Sequence, residues 1–245
     1  MNRVLSYDRF KLHKSKFWWI CILISMAIAD LTIFTFATGA SKLGAKVIPF
    51  SYYRTVTNPS TLIFLIIVCM FIGTDFKTGT IKNVASKGIK RHEIVLSKLI
   101  WSYILAIVFV ALTVATALVT MIIFTKTSIK SSEIIEILKL SGLSILSLWA
   151  FSSIYTLITF IVKSSGAAIA ISIILSIFST IIITLVEQLI LKSKNLSRLF
   201  PNFIATIASG ASTAKSTTIF IIAMFVWIIV CSALTILIFQ KQDIK

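Results

Sequence analysis

Six long stretches of almost purely apolar residues are the feature that most restricts how this chain can fold. Each one approaches the roughly 20 residues that a helix needs to cross the hydrocarbon layer of a bilayer. Of the 245 residues, 58% are hydrophobic and 13% are charged, which is more apolar surface than a soluble domain of this length can bury. We therefore expect an all-α integral membrane protein with six transmembrane helices, at residues 17–36, 57–74, 99–124, 140–162, 166–190 and 217–239.

The rest of the sequence gives no sign of a second domain. With three prolines, eight glycines and no internal repeat, we expect residues 1–245 to form one transmembrane domain, whose first apolar run is an uncleaved span rather than a signal peptide. Cys21, Cys69 and Cys231 lie far apart within apolar runs and form no CxxC pair. We read them as core residues and expect no disulfide and no metal site.

The positions of Lys and Arg predict the orientation of the spans. With the N-terminus inside, the inner segments hold 14 of these residues and the outer segments hold 10, which follows the positive-inside rule. We therefore expect both termini on the inner side. The net charge of +16 flanks the apolar runs, so its expected partners are anionic membrane lipids and not nucleic acid.

The charged segment 75–98, between the second and third spans, predicts a short helix on the inner side. Thr80 can cap a helix over residues 81–87, with Ile81, Val84 and Ala85 on one face, Lys87 in the last turn and Gly88 just beyond it. Such a helix suits contact with a soluble partner at the membrane surface. A loop that only sets the orientation of the spans is an equally compatible interpretation.

Two further segments are predicted to lie at the membrane surface or to enter it only partly. In residues 1–16, the spacing of Val4, Tyr7 and Phe10 among basic residues is typical of an interfacial amphipathic helix. In the outer segment 192–216, the spacing of Leu199, Phe203 and Ile207 predicts a short helix that dips into the outer leaflet, or alternatively one that lies on its surface. The residues expected in this re-entrant segment are Phe200, Pro201 and Phe203.

The sequence carries no recognisable catalytic motif. A phosphate-binding loop would need glycines at the positions of Ser209 and Ala214, before Lys215 and Ser216. There is also no HExxH pattern and no cluster of acids within the spans. We therefore expect no catalytic site, no cofactor and no metal in this chain, so that any role driven by ATP requires another polypeptide.

The inner segments resemble those of ABC-2 type permeases, the six-span membrane subunits of bacterial ABC exporters with the type V fold. The resemblance covers "YDRFKLHKSKFWW" at the N-terminus and an acidic residue, Asp75, followed by Gly-Thr-Ile-Lys-Asn at 79–83, Ser-Lys-Gly-Ile at 86–89 and Ser-Lys-Leu at 97–99. It departs at Lys90, where the family commonly has a small capping residue. The match is dense over about thirty residues, and the six-span plan extends it to the whole chain.

This resemblance implies that the helix at residues 81–87 is a coupling helix, which docks into a cleft of a separate cytoplasmic ATPase. The implied coupling residues are Asp75, Gly79, Thr80, Ile81, Lys82, Asn83, Val84, Lys87 and Gly88. The implied complex lies in the bacterial cytoplasmic membrane, with both termini cytoplasmic. It holds two ATPase subunits that bind ATP and Mg, and a second permease that is identical or homologous.

The implied pathway lies between the two permeases and is lined by the second and fifth spans. Candidate pathway residues are Asp30, Phe64, Phe71, Phe178 and Glu187. For Asp30 and Glu187, a position at the outer interface facing water or a lysine is the alternative. The apolar lining favours hydrophobic or amphipathic cargo such as antimicrobial or cytolytic peptides over small drugs, lipids or ions. An ion-coupled carrier would need broken helices and more buried charge, and an intramembrane enzyme would need a catalytic constellation.

Overall fold

A computed structural model of the protein describes residues 2–42, 49–125, 131–191, 196–208 and 212–242. All regular secondary structure in these ranges is helical, which confirms the all-α class. The helices are α1 (Asn2–Lys14), α2 (Lys16–Lys42), α3 (Pro49–Lys77), α4 (Thr80–Ser86), α5 (Arg91–Thr125), α6 (Ser131–Val162), α7 (Ser165–Val186), α8 (Ile204–Ala208) and α9 (Ala214–Lys241). Between α7 and α8 lie a π-helical turn (Glu187–Leu191) and two 3-10 turns (Ser197–Leu199 and Pro201–Phe203).

Within the described residues, four to six helices are long and apolar enough to cross a membrane. Four helices are long and apolar enough, and they are α5, α6, α7 and α9. Two bent pairs raise the number to six if each pair is one span: α1 with α2, bent by 59°, and α3 with α4, bent by 63°. The long apolar helices agree with a membrane-embedded protein.

Several helices extend beyond the apolar runs from which they were predicted. The third run begins at residue 99, but α5 already begins at Arg91, and the fourth run begins at residue 140, but α6 begins at Ser131. The fifth run ends in the π-helical turn and not in regular helix. Hydropathy marks the part of a helix at hydrocarbon depth, whereas backbone hydrogen bonding continues through the polar residues beside it.

Helix α3 lies at the centre of the packing, against α2, α5, α6 and α7. Its residues Phe64, Leu65, Val68 and Cys69 are fully buried in the main apolar cluster. Near its end, Gly73 approaches the first residue of α7 so closely that a Cβ there would lie 2.5 Å from Ser165 Cα. The missing side chain of this glycine therefore permits the crossing of α3 and α7.

The beginning and the end of the described chain meet at the same end of the helix bundle. Helix α1 packs on the beginning of α5, and Trp101 Nε1 in α5 donates a hydrogen bond to Leu5 O at 3.0 Å. Arg91, the first residue of α5, donates from Nη1 to Phe239 O at 3.1 Å and to Gln240 O at 3.0 Å, the last turn of α9. We call this region, formed by α1, α4, the end of α3, the beginning of α5 and the end of α9, the α4 end.

Candidate functional site

Helix α4 is set between two glycines whose backbones adopt the left-handed conformation. Gly79 has φ 66° and occupies the N-cap position, and Gly88 has φ 76° just after the C-cap residue Lys87. The predicted cap, Thr80, is wrong: it is the first helical residue, and α4 runs from Thr80 to Ser86 instead of 81–87. Glycine reaches this conformation without strain, so it reverses the chain at both ends of the helix. The position predicted for Gly88 is confirmed.

The two faces of α4 have different surroundings. Ile81 is 3% exposed and packs into the main apolar cluster, with Val84 and Ala85 partly buried beside it. Lys82, Asn83 and Lys87 are exposed. The buried face fixes α4 to the helix bundle, while the opposite face presents two cations and an amide to the surroundings.

Asp75 lies in the interior and not on the surface of this site. We expected it among the residues that contact an ATPase, but its side chain is 2% exposed and forms ion pairs with Lys98 and Lys11. A carboxylate buried in this way does not reach a partner protein. Its ion pairs hold the end of α3, from which the chain continues into α4.

Asp75 belongs to a set of four charged residues that we call the buried ion cluster: Asp8, Lys11, Asp75 and Lys98. Lys98 Nζ pairs with both carboxylates and lies 2.5 Å from Asp8 Oδ1. Ser97 Oγ donates a hydrogen bond to Asp8 Oδ2 at 2.6 Å. Two cations facing two anions leave the cluster without net charge, which is the condition for keeping charges inside a protein.

Lys11, on α1, is the fourth member of the cluster, and its ammonium group donates three hydrogen bonds. Its Nζ lies 2.7 Å from Asp75 Oδ1 and donates to Phe71 O at 2.9 Å and to Thr74 Oγ1 at 3.2 Å. The ring of Phe71 contacts both cations, with its centroid 5.3 Å from Lys11 Nζ and 4.6 Å from Lys98 Nζ. Burial lowers the pKa of the Lys11 ammonium group, and the Asp75 carboxylate opposes this effect.

The cluster ties three helices together at the point from which α4 begins. Asp8 and Lys11 come from α1, Asp75 from α3 and Lys98 from α5. Through Asp75 at the end of α3, these ion pairs connect the segment that leads into α4 with α1 and α5.

The cluster also corrects the orientation predicted for the N-terminal helix. We expected Val4, Tyr7 and Phe10 to share one apolar face, with Lys11 elsewhere, but the inward face holds Val4, Asp8 and Leu12. Tyr7 is 42% exposed and Phe10 is 63% exposed. The attraction of buried opposite charges turns the helix, and its exposed aromatic residues face outward as an interfacial helix requires.

Sequence reasoning missed Asp8, Ser97 and the pairing of Lys98. The sequence analysis places Lys98 among the inner cations and in the Ser-Lys-Leu motif at 97–99, without a counter-charge. The scarcity of acidic residues could have indicated the cluster, because the chain has eight acidic residues and 24 basic ones. Two of these few acids, Asp8 and Asp75, lie in polar segments next to apolar runs, where an unpaired carboxylate is costly.

The predicted pathway residues lie in different environments and are not brought together. Phe64 is fully buried within the chain, with its ring centroid 5.6 Å from that of Phe109, whereas Phe178 is 57% exposed. Phe71 covers the ion cluster. Asp30 accepts a hydrogen bond from Thr120 Oγ1 at 2.7 Å, and Glu187 accepts one from the backbone N–H of Ser197 at 2.6 Å.

The segment after α7 reaches the middle of the helix bundle. Ser147, midway along α6, donates to Pro201 O at 3.0 Å, and Trp227 Nε1, midway along α9, donates to Leu199 O at 2.8 Å. The single helix predicted here is wrong, since two 3-10 turns precede α8 and Leu199 is 43% exposed. Phe203 is buried, and the ring centroid of Phe200 lies 5.9 Å from that of Trp227, with the ring planes tilted by 45°. Residues 192–195 and 209–211 of the predicted re-entrant segment lie outside the described residues.

No group of three or more His, Cys, Asp or Glu side chains lies close enough to hold a metal ion in the described parts of the chain. Comparison with curated proteins finds none that matches this chain. The profile of one family, described as a protein of unknown function (DUF2705), matches residues 15–245. That range includes α2 to α9 and two of the four residues of the buried ion cluster, Asp75 and Lys98. The chain therefore belongs to the DUF2705 family.

Proposed function

We propose that this chain is the permease subunit of an ATP-binding-cassette exporter, driven by a separate ATPase. The observation that carries the proposal is α4, a seven-residue helix that leaves the axis of α3 at 63° and exposes Lys82, Asn83 and Lys87. A short rigid helix outside the bundle has a polar face available to a soluble partner. ATP and Mg bind to that partner, and this chain receives the resulting movement.

The buried ion cluster supports the mechanical part of the proposal. A helix that transmits movement from a partner must be connected rigidly to the rest of the protein. Helix α4 follows directly on α3, and Asp75 in α3 forms ion pairs with Lys11 of α1 and Lys98 of α5. Ile81 anchors α4 to the same apolar cluster. Movement of α4 would therefore displace α1, α3 and α5 together, as alternating access requires.

The proposed topology has six spans, with each bent pair contributing one, and both termini in the cytoplasm. The meeting of α1 and the end of α9 at the α4 end supports an even number of crossings. The excess of Lys and Arg in the inner segments supports the orientation. In this topology the segment between α7 and α9 is re-entrant from the outer side.

The proposed complex pairs this chain with a second permease, identical or homologous, and with two ATPase subunits in the bacterial cytoplasmic membrane. The apolar exposed faces of α7 and α9 favour hydrophobic or amphipathic cargo, and peptides of the antimicrobial or cytolytic kind fit this chemistry. Small drugs, lipids or ions are the alternative cargo. A panel of such compounds added to the purified complex tests the choice, since the transported class should stimulate ATP hydrolysis.

Co-purification tests the proposal directly. The full chain is expressed together with a soluble ABC ATPase, chosen from those that genes beside its own encode, and purified through an affinity tag on the permease. Reversal of the α4 charges, Lys82→Glu with Lys87→Glu, should reduce the amount of bound ATPase at least tenfold, because it removes the cationic contact face. Ile81→Asp is unsuitable as a test, since Ile81 is buried and the change would disturb the fold itself.

A matched control uses exposed cations away from α4. Lys139→Glu with Lys215→Glu reverses two exposed charges on α6 and α9 and should leave ATPase binding unchanged. If no ATPase co-purifies with the unaltered chain, or if the α4 variant binds it as well as the control does, the proposal is wrong.

A further inference from the structure

A cavity of about 90 Å³ lies between the middles of α6, α7 and α9, beneath the tip of the segment that joins α7 to α8. The tip is held there by the hydrogen bonds of Ser147 to Pro201 O and of Trp227 to Leu199 O. This volume is smaller than the roughly 300 to 1,000 Å³ of sites that enclose a whole small molecule, so it has room for one end of a longer molecule. None of the residues that form the α4 end lines this cavity.

The walls of the cavity combine aromatic rings with a few uncharged polar groups. Phe151, Phe200 and Trp227 supply apolar surface. Ser176, Ser179 and Asn202 supply hydroxyl and amide groups, and the residues that line the cavity include no Lys, Arg, Asp or Glu. A largely apolar lining with a small number of polar groups is typical of a ligand site.

One polar group in this wall has no partner. The Tyr155 side chain is 1% exposed, and within the described residues its hydroxyl forms no hydrogen bond. The Ser176 hydroxyl lies near the Tyr155 hydroxyl, but the pair does not meet hydrogen-bond geometry. Ser152 and Thr156, also without partners, lie on the same helix but do not line the cavity. A buried hydroxyl without a partner is unfavourable, so a ligand that supplies the missing hydrogen bond would be stabilised at this place.

We infer that this cavity binds an uncharged amphipathic molecule from the lipid phase. Its alkyl or aromatic body contacts Phe151, Phe200 and Trp227, and its one hydroxyl, amide or ester group forms a hydrogen bond with Tyr155. A charged group would meet no counter-charge in the wall and is excluded by its desolvation. Leu175, on the α7 side, is 49% exposed, which leaves the cavity open towards lipid.

This site goes beyond the proposed function, because binding needs no ATPase and is measured on the chain alone. The full chain is reconstituted in phosphatidylcholine vesicles with a diazirine-bearing fatty alcohol, illuminated, digested and analysed by mass spectrometry. We expect adducts in the peptides that contain residues 151–155 and 199–202. Tyr155→Phe should lower this labelling at least threefold while labelling of the lipid-facing residues of α9 stays unchanged.

Three further comparisons keep the test decisive. Tyr103→Phe is the matched control, because Tyr103 already has a partner in Ser153 at 2.7 Å, and it should leave the cavity labelling unchanged. Ser179→Trp, which fills the cavity, should abolish the labelling, and it serves as the second variant if Tyr155→Phe does not fold. A matching alkyl-trimethylammonium probe should not label the cavity.

A diazirine-bearing diacylglycerol, used beside the fatty alcohol, distinguishes the source of the ligand. Stronger cavity labelling by diacylglycerol indicates a membrane lipid, and stronger labelling by the alcohol indicates a small solute, and either result supports the site. Cavity labelling by neither probe, equal labelling in Tyr155→Phe and the unaltered chain, or equal labelling by the trimethylammonium probe would overturn the inference.

Discussion

The α4 end and the cavity in the middle of the bundle differ in whether their polar side chains have partners. At the α4 end, three charged side chains are buried, a fourth, Lys11, is partly buried, and each one is paired. In the cavity no wall residue is charged, and the Tyr155 hydroxyl is buried without a partner. Full pairing stiffens a structure, whereas an open hydrogen-bonding position leaves room for another molecule. The first region therefore suits transmission of movement, and the second suits binding.

The largest expected effect concerns the contribution of the buried ion cluster to the free energy of unfolding. Lys98→Met removes the cation that pairs with both Asp8 and Asp75 and leaves two buried carboxylates close together. We expect a loss of about 3 to 5 kcal/mol in the free energy of unfolding, measured by denaturation of the purified chain in mixed micelles. The double variant Asp8→Asn, Lys98→Met leaves Lys11 paired with Asp75, so it removes the uncompensated charge and should recover part of that loss. A loss below about 1 kcal/mol for Lys98→Met would contradict a paired, buried cluster.

The next effect tests the packing that holds α3 beside α7 near the α4 end. Gly73→Ala places a Cβ 2.5 Å from the backbone of Ser165, so the helices must shift apart. We expect a loss of about 1 to 3 kcal/mol in the same denaturation assay. Gly142→Ala is the control, because a Cβ there meets nothing within 4 Å, and a gain of about 0.5 to 1 kcal/mol is expected from the lower helix propensity of glycine. Equal effects of the two changes would refute the close crossing.

A smaller effect compares a partnered tyrosine with an unpartnered one. Tyr103→Phe breaks the bond to Ser153 and should cost about 0.5 to 1.5 kcal/mol. Tyr155→Phe removes a hydroxyl that has no partner, so in the absence of ligand it should be neutral or slightly stabilising. The comparison is made by thermal unfolding of both variants in the same detergent. A greater loss of stability in Tyr155→Phe than in Tyr103→Phe would show that the Tyr155 hydroxyl has a hydrogen-bond partner.

The smallest effect concerns the outer face of α4. Lys82→Glu with Lys87→Glu changes exposed side chains, so the free energy of unfolding should change by about 0.5 kcal/mol or less. Circular dichroism during thermal unfolding measures it. With stability unchanged, any loss of ATPase binding in this variant would be assigned to the contact surface. A large loss of stability would instead show that the two lysines help to hold the fold.

The sequence predicts the parts of this molecule that depend on local pattern. Apolar runs gave the long helices, and Gly88 was recognisable as the residue after a helix. Gly79 was not, because Thr80 beside it is a better N-cap by side-chain chemistry. The ion cluster escaped prediction because Asp8 and Lys98 are 90 residues apart, and no local spacing connects them. The cavity escaped it too, since an unpartnered hydroxyl is defined only by what surrounds it in three dimensions.

The separation of Asp8 from Lys98 has a consequence for the synthesis of the protein. At about 5 to 20 residues per second, the ribosome needs roughly 5 to 20 seconds to make the 90 residues between them. During that interval the N-terminal helix is complete, but its carboxylate has no lysine to meet. The ion pair that joins α1 to α5 therefore forms only after the beginning of α5 has been made, although α1 is the first helix of the chain to be synthesised.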